Sequence, residues 1–123
     1  MSNYTTPAHF ELFQNECLRL WGLWKVSGWR VEFRHQEMEG QAGMMAGADS
    51  DPTQHRTRIF LAPVWPDHTQ VTEEEILITA RHEAIHALLG PLSTLAASRF
   101  VTESEICAAE HEVLNILEGA LPR

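Results

Sequence analysis

His82-Glu83-Ala84-Ile85-His86 is an H-E-x-x-H pentapeptide inside a segment that reads as helical, and no other feature constrains this chain as much. The helix start is well marked. Thr72 with Glu75 three residues later forms a capping box, and Glu73, Glu74 and Glu75 suit the positive end of the helix dipole. The pattern predicts a helix from about 73 to 89, stopped by Gly90-Pro91. Residues four apart on a helix lie one turn above each other, so His82 and His86 share a face. Leu77, Ile78, Ile85, Leu88 and Leu89 predict the buried arc, with both histidines on its margin, where a helix passes from core to cleft.

Two imidazoles stacked in this way can offer two nitrogens to one Zn²⁺. Glu83, beside the first of them, can then reach a water held by the metal and take its proton. Such a site needs a third protein ligand and leaves a fourth position open. Downstream, a second capping box (Thr102-Glu103-Ser104-Glu105) opens a last helix that is predicted to run to about Leu121. Ile106, Ala109, Val113, Leu117 and Ala120 mark its expected buried face, and Glu110 falls inside that arc. An unpaired carboxylate there would be costly to bury, and a metal would account for it. Glu110 is therefore the expected third ligand, with Glu103 or Glu105 as alternatives. The competing reading is a salt bridge from Glu110 to Arg81 or Arg99.

His82-Glu83-Ala84-Ile85-His86, followed on a second helix by Glu110, resembles the gluzincin class of zinc metallopeptidases. The small size is similar to that of minimal, single-domain members and of small phage-encoded metallopeptidase-type proteins. The resemblance covers the C-terminal half, from about Glu73. It implies a zincin-like helix–sheet–helix fold, Zn²⁺ as cofactor and hydrolysis of peptide bonds, with His82, His86 and Glu110 as metal ligands and Glu83 as general base. It further implies that Thr57–Leu61 is the edge strand against which an extended peptide is held. Two family features are missing. Tyr4 is the only tyrosine and lies far from the motif in sequence, and Ala109 stands before Glu110 where thermolysin-like enzymes have asparagine. The alternative function is a zinc-stabilised interaction module with the same fold and no catalysis.

The rest of the chain predicts an α+β fold: an N-terminal helix, a small three-stranded antiparallel sheet, the motif-bearing helix and C-terminal helices. All 123 residues are expected to form one domain, large enough to need no disulfide staples. Thr6 caps a helix that starts at Pro7 and carries Phe10, Phe13, Cys17, Leu20, Trp21 and Trp24 on one side to about residue 24. Trp29, Val31, Phe33 and His35 alternate with Arg30, Glu32 and Arg34 in a first strand. Met44 to Ala48 gives a short second strand, Asp49-Ser50-Asp51-Pro52 a loop, and Thr57 to Leu61 a third strand. Trp65, between Pro63 and Pro66, reads either as a flap or as a rigid corner. Leu92 to Phe100 reads as a separate short helix.

A net charge of −8 argues against nucleic acid or an anionic membrane as the main partner, although Arg30, Arg34, Arg56 and Arg58 fall close together in the chain. The expected partner is a peptide or protein substrate. Cys17 and Cys107 sit at apolar positions of predicted helices and read as buried free thiols. With no apolar run of membrane-spanning length and no signal-peptide pattern, a cytoplasmic location is expected.

Overall fold

The computed structural model describes residues 2–24, 26, 28–40, 43–51, 54–97 and 102–120. The order of elements is α1 (Pro7–Leu23), β1 (Arg30–Arg34), β2 (Ala46–Asp51), β3 (Arg56–Leu61), α2 (Glu73–Ala97) and α3 (Glu103–Ala120). The fold is α+β, three helices with a three-stranded sheet, as composition and periodicity predict.

Helix α1 starts where the sequence places it. Thr6 Oγ1 accepts from the His9 backbone N–H, and His9 Nδ1 accepts from the Thr6 N–H, both at 3.1 Å. A histidine thus takes the reciprocal role that glutamate usually fills in a capping box. Phe13, Cys17 and Trp21 line the buried face of α1, four residues apart.

The sheet is mixed rather than antiparallel. Its order is β1-β3-β2, with β1 parallel and β2 antiparallel to β3. Only β2 and β3 form a hairpin. The segment after β1 crosses the end of the sheet before β2 begins, and β3 then returns between them in the direction of β1. Short strands separated by turn signals read as successive hairpins in a sequence, and a crossing connection leaves no local mark. Central strand β3 buries Thr57, Ile59 and Leu61 on one face. Val31 and Phe33 of β1 and Ala48 of β2 pack on that same side.

The expected loop at 49–51 is strand instead. Asp49 pairs with Arg58 of β3, and Ser50 Oγ lies 3.2 Å from Thr57 Oγ1. Cross-strand partners turn residues that favour turns in isolation into part of the ladder. Pro52 lies outside the described residues.

Helix α2 does not stop at Gly90-Pro91 but continues to Ala97, so residues 92–97 belong to it rather than to a separate helix. Residues 98–100 lie outside the described residues. The glycine has a different use. A Cβ on Gly90 would stand 2.1 Å from Ser50 Oγ and 2.8 Å from Ser50 Cβ, so this residue lets the helix approach β2 closely. The serine hydroxyl can rotate away, but its Cβ is fixed to the strand backbone. Gly90→Ala should therefore destabilise the protein, because overpacking of about 1–3 kcal/mol outweighs the helix-propensity gain of about 1 kcal/mol. A lower urea midpoint with an unchanged m-value is the expected result.

The core face of α2 differs from the one its large aliphatics predict. Ile76, Ala80, Ala84, Ala87 and Leu88 are buried, whereas Ile78 (48%), Ile85 (49%) and Leu89 (36%) stay exposed. Small residues face inward because α1 packs directly against them, with Cys17 Sγ donating to the Ala80 carbonyl at 3.4 Å. Buried Cys17, Ile59, Leu61, Trp65, Ile76 and Ala84 belong to one hydrophobic cluster. Trp65 is 1% exposed, which makes the 63–66 segment a packed corner and not a flap.

An N-terminal strap holds that corner and the loop leading from it to α2. Thr5 N–H bonds the Pro63 carbonyl, Trp65 N–H the Asn3 carbonyl and Val71 N–H the Ser2 carbonyl, at 2.8–3.0 Å. Asn3 Nδ2 also donates to the Trp65 carbonyl at 2.7 Å and to Asp67 Oδ1 at 3.3 Å. Among the described residues no helix is long and apolar enough to cross a membrane.

Candidate metal centre

His82 and His86 stand one turn apart on the outward face of α2, with Nε2 atoms 3.0 Å from each other. Their rings meet edge to face, with centroids 4.6 Å apart. Two nitrogens bound tetrahedrally at about 2.0–2.1 Å from Zn²⁺ are separated by roughly 3.3 Å. The two Nε2 atoms share a hydrogen bond, and its length is close to the spacing that one tetrahedral cation requires. Both side chains are exposed, set among Ile78, Ile85 and Leu89 rather than on the margin of a buried arc.

Glu83, which lines the same groove as His82, is only 6% exposed. Among the described residues nothing donates a hydrogen bond to its carboxylate. Burial pushes its pKa up, while the neighbouring imidazoles of His82 and His86 act in the opposite direction. A carboxylate held this way is a stronger base than one in water.

The turn that carries the motif is tied to α1. Arg81, just before His82, places its Nε 2.8 Å from Glu16 Oε2, and Arg19 binds the same carboxylate. Glu16 is buried, and the guanidinium of Arg19, then that of Arg81, holds its pKa below the usual carboxylate value. The resulting stability is present above the ordinary carboxylate pKa and is lost as pH falls through the lowered one. Glu16→Gln should remove about 1 kcal/mol at neutral pH and flatten the acid side of a stability–pH curve, measured by urea unfolding between pH 3 and 7.

Glu110 is not where helical phase puts it. Helix α3 buries Ala109 and Val113, with Ile106 and Ile116 half-buried, and this rotates Glu110, Leu114 and Leu117 outward. The expected stripe of Ile106, Ala109 and Val113 does face inward, but it is too narrow to take in Leu117 or Glu110. Glu110 is in no ion pair among the described residues, and Arg81 is taken by Glu16. Arg99 lies outside the described residues. Of the alternatives, Glu105 caps α3, its Oε1 accepting from Thr102 Oγ1 at 3.1 Å, and Glu103 is exposed. Among the described residues no group of three or more His, Cys, Asp or Glu side chains stands close enough to hold a metal ion.

Beside the pair runs an open groove of about 490 Å³, whose lining includes Met44, Pro66, His68, Ile78, His82 and Glu83. The start of β2 forms one wall and the first turns of α2 the other. The edge strand next to the motif is therefore β2. Strand β3, expected in that role, is central and is paired on both sides. No local pattern marks His68 as a groove residue, because the strap that fixes its loop joins segments more than sixty residues apart.

The cysteines differ from each other. Cys17 is buried, and desolvation, reinforced by Glu83 and Glu16, pushes its thiol pKa up to about 12. Cys107, expected in the core, is exposed on α3 with its Sγ 3.6 Å from His111 Nδ1. Native protein should therefore titrate one thiol with Ellman's reagent, at Cys107, and denatured protein two.

Compared with family models, curated proteins and solved structures, the chain matches none of them.

Proposed function

We propose that this chain is a zinc-dependent metallopeptidase of minimal, gluzincin-like type. The observation that carries the reading is the 3.0 Å spacing of the His82 and His86 Nε2 atoms beside the buried carboxylate of Glu83. The histidine pair fits one tetrahedral cation. Glu110 keeps the third-ligand assignment from the gluzincin resemblance alone, since the helical phase that singled it out does not hold. Zn²⁺, when bound, lowers the pKa of a coordinated water toward about 7 and polarises a carbonyl oxygen.

The chain's own residues supply the rest. An extended peptide lies in the groove, adding to the open edge of β2 through its backbone, as extended peptides do at free sheet edges. Ile78, Met44 and Pro66 give it apolar contact surface. Glu83 takes a proton from the attacking water and delivers it to the leaving amine. The Glu16–Arg81 ion pair holds the motif turn against α1 and keeps the histidines in register. Substrates are peptides or proteins. The unpaired thiols of Cys17 and Cys107 favour a reducing, cytoplasmic compartment.

A second reading has a specific observation in its favour. No third ligand joins the pair among the described residues, which suits an interaction module that binds zinc without cleaving anything. Digestion of a mixed peptide library, followed by mass spectrometry, separates the two. The peptidase yields discrete cleavages that chelator stops and added Zn²⁺ restores. Zinc uptake with an intact library supports the interaction module.

A further inference from the structure

The sheet face turned away from α1 and α2 carries charge rather than apolar surface. Along β3 the outward residues are Arg56, Arg58 and Phe60, and along β1 they are Arg30, Glu32 and Arg34. Most arginines described in this structure are matched by a carboxylate: Arg19 and Arg81 by Glu16, Arg34 by Glu32, and Arg58 by Asp49. Arg30 and Arg56 are the exceptions among the described residues. They are also direct neighbours in the parallel β1–β3 register, so their side chains leave the sheet side by side. Asp51 stands beside Arg56 in the same row on β2, and its negative charge bears on Arg58 as well.

Like charges placed directly opposite each other on a sheet repel. Here the arrangement is fixed rather than incidental. The Arg30 N–H bonds the His55 carbonyl at 2.8 Å, and the Trp29 and His55 rings stack at 5.1 Å with planes 11° apart, which clamps the start of β1 onto β3. His55 adopts a left-handed backbone (φ 48°) to make that turn. Arg56 Nε is buried and has no hydrogen-bond partner among the described residues, so no carboxylate of the sheet holds this guanidinium there.

We propose that Arg30 and Arg56 together form a binding site for a phosphate dianion. Two guanidinium groups carry the charge that a dianion balances, and their planar donor forks match phosphate oxygens in paired hydrogen bonds. A single carboxylate would be satisfied by one fork and would leave the second cation unmatched. The acidity of the whole chain, −8, selects a small phosphate ester or free phosphate over a polyanion, which the remaining surface repels. The site lies on the opposite face of the sheet from His82 and His86, so it does not depend on the metallopeptidase reading.

Thermal unfolding of the full chain at constant ionic strength tests this, with inorganic phosphate or O-phosphoserine replacing sodium chloride. Phosphate should raise the melting temperature beyond the chloride control, since a ligand that binds only the folded state stabilises it. Arg30→Gln and Arg56→Gln should each weaken the apparent affinity at least tenfold. Arg58→Gln, which removes a cation already paired with Asp49, should leave it within twofold. Arg30→Gln should also melt higher than wild type without phosphate, because it relieves the repulsion. A response to phosphoserine alone assigns the site to esters, and an equal response to both assigns it to the phosphate group itself. A melting temperature no higher in phosphate or phosphoserine than in chloride overturns the proposal, as does a response that survives Arg30→Gln.

Discussion

Glu83→Gln should retain zinc at the wild-type level and lose peptide hydrolysis by about 10²–10⁴-fold, the range over which a positioned general base contributes. The substitution keeps the shape of the side chain and removes only its capacity to take a proton. Because Glu83 is 6% exposed, the variant also tests whether the loss is chemical or structural. Burial raises the folded-state pKa of Glu83, so its contribution to stability is present below the ordinary carboxylate pKa and is lost as pH rises through the raised value. Burial disfavours the charged form of Glu83 in the metal-free wild type, and glutamine carries no such charge. Metal-free Glu83→Gln should melt no lower than metal-free wild type, and a loss of activity cannot then be assigned to unfolding. Undiminished turnover in Glu83→Gln would remove Glu83 from the role of base.

Much of the scaffold around this residue is legible in the sequence. Thr6 before Pro7, the alternation from Trp29 to His35 and the Thr72 capping box each place an element within a residue or two of its observed start. These are local signals, and local hydrogen bonds or side-chain periodicity enforce them. Glu75 N–H, for example, donates to Thr72 Oγ1 at 3.1 Å. What the sequence misplaces depends on distant partners. Asp49 and Ser50 look like a loop until Arg58 and Thr57 come alongside. Gly90 looks like a helix stop until Ser50 is seen pressed against it.

The same division holds for the candidate site. The i, i+4 spacing puts His82 and His86 on one face, and the structure brings their nitrogens together. Which face the core takes is a different matter. In α2 the closest packing partner is α1, and only alanines allow its approach, so the isoleucines turn outward with the histidines. In α3 the stripe through Ala109 and Val113 wins, and Glu110 turns away from the core. The arc read by residue size fails in α2, where close packing against α1 selects small side chains; in α3 Ile106, Ala109 and Val113 face inward as expected, and only Leu117 and Glu110 fall outside the stripe. The Glu16–Arg81 pair leaves no local mark in the sequence because its partners are 65 residues apart.

Zinc retention should depend on both histidines. With only two histidines already in place, each should be indispensable. His82→Ala or His86→Ala leaves a single imidazole, and one nitrogen ligand on an exposed helix face does not retain Zn²⁺ through dialysis. Both positions are solvent-exposed, so either alanine should fold normally and preserve the thermal transition of the metal-free wild type. Glu110→Ala tests the third ligand separately. Reduced zinc in that variant supports the assignment from sequence, and full zinc moves the third ligand to another residue.

Elemental analysis of untagged, dialysed wild type beside His86→Ala decides whether the histidine pair holds zinc. Wild type should carry one zinc per chain and the variant close to none. Sub-stoichiometric zinc in wild type, unchanged by His86→Ala, would contradict this and leave the H-E-x-x-H segment as a helix with two ordinary surface histidines.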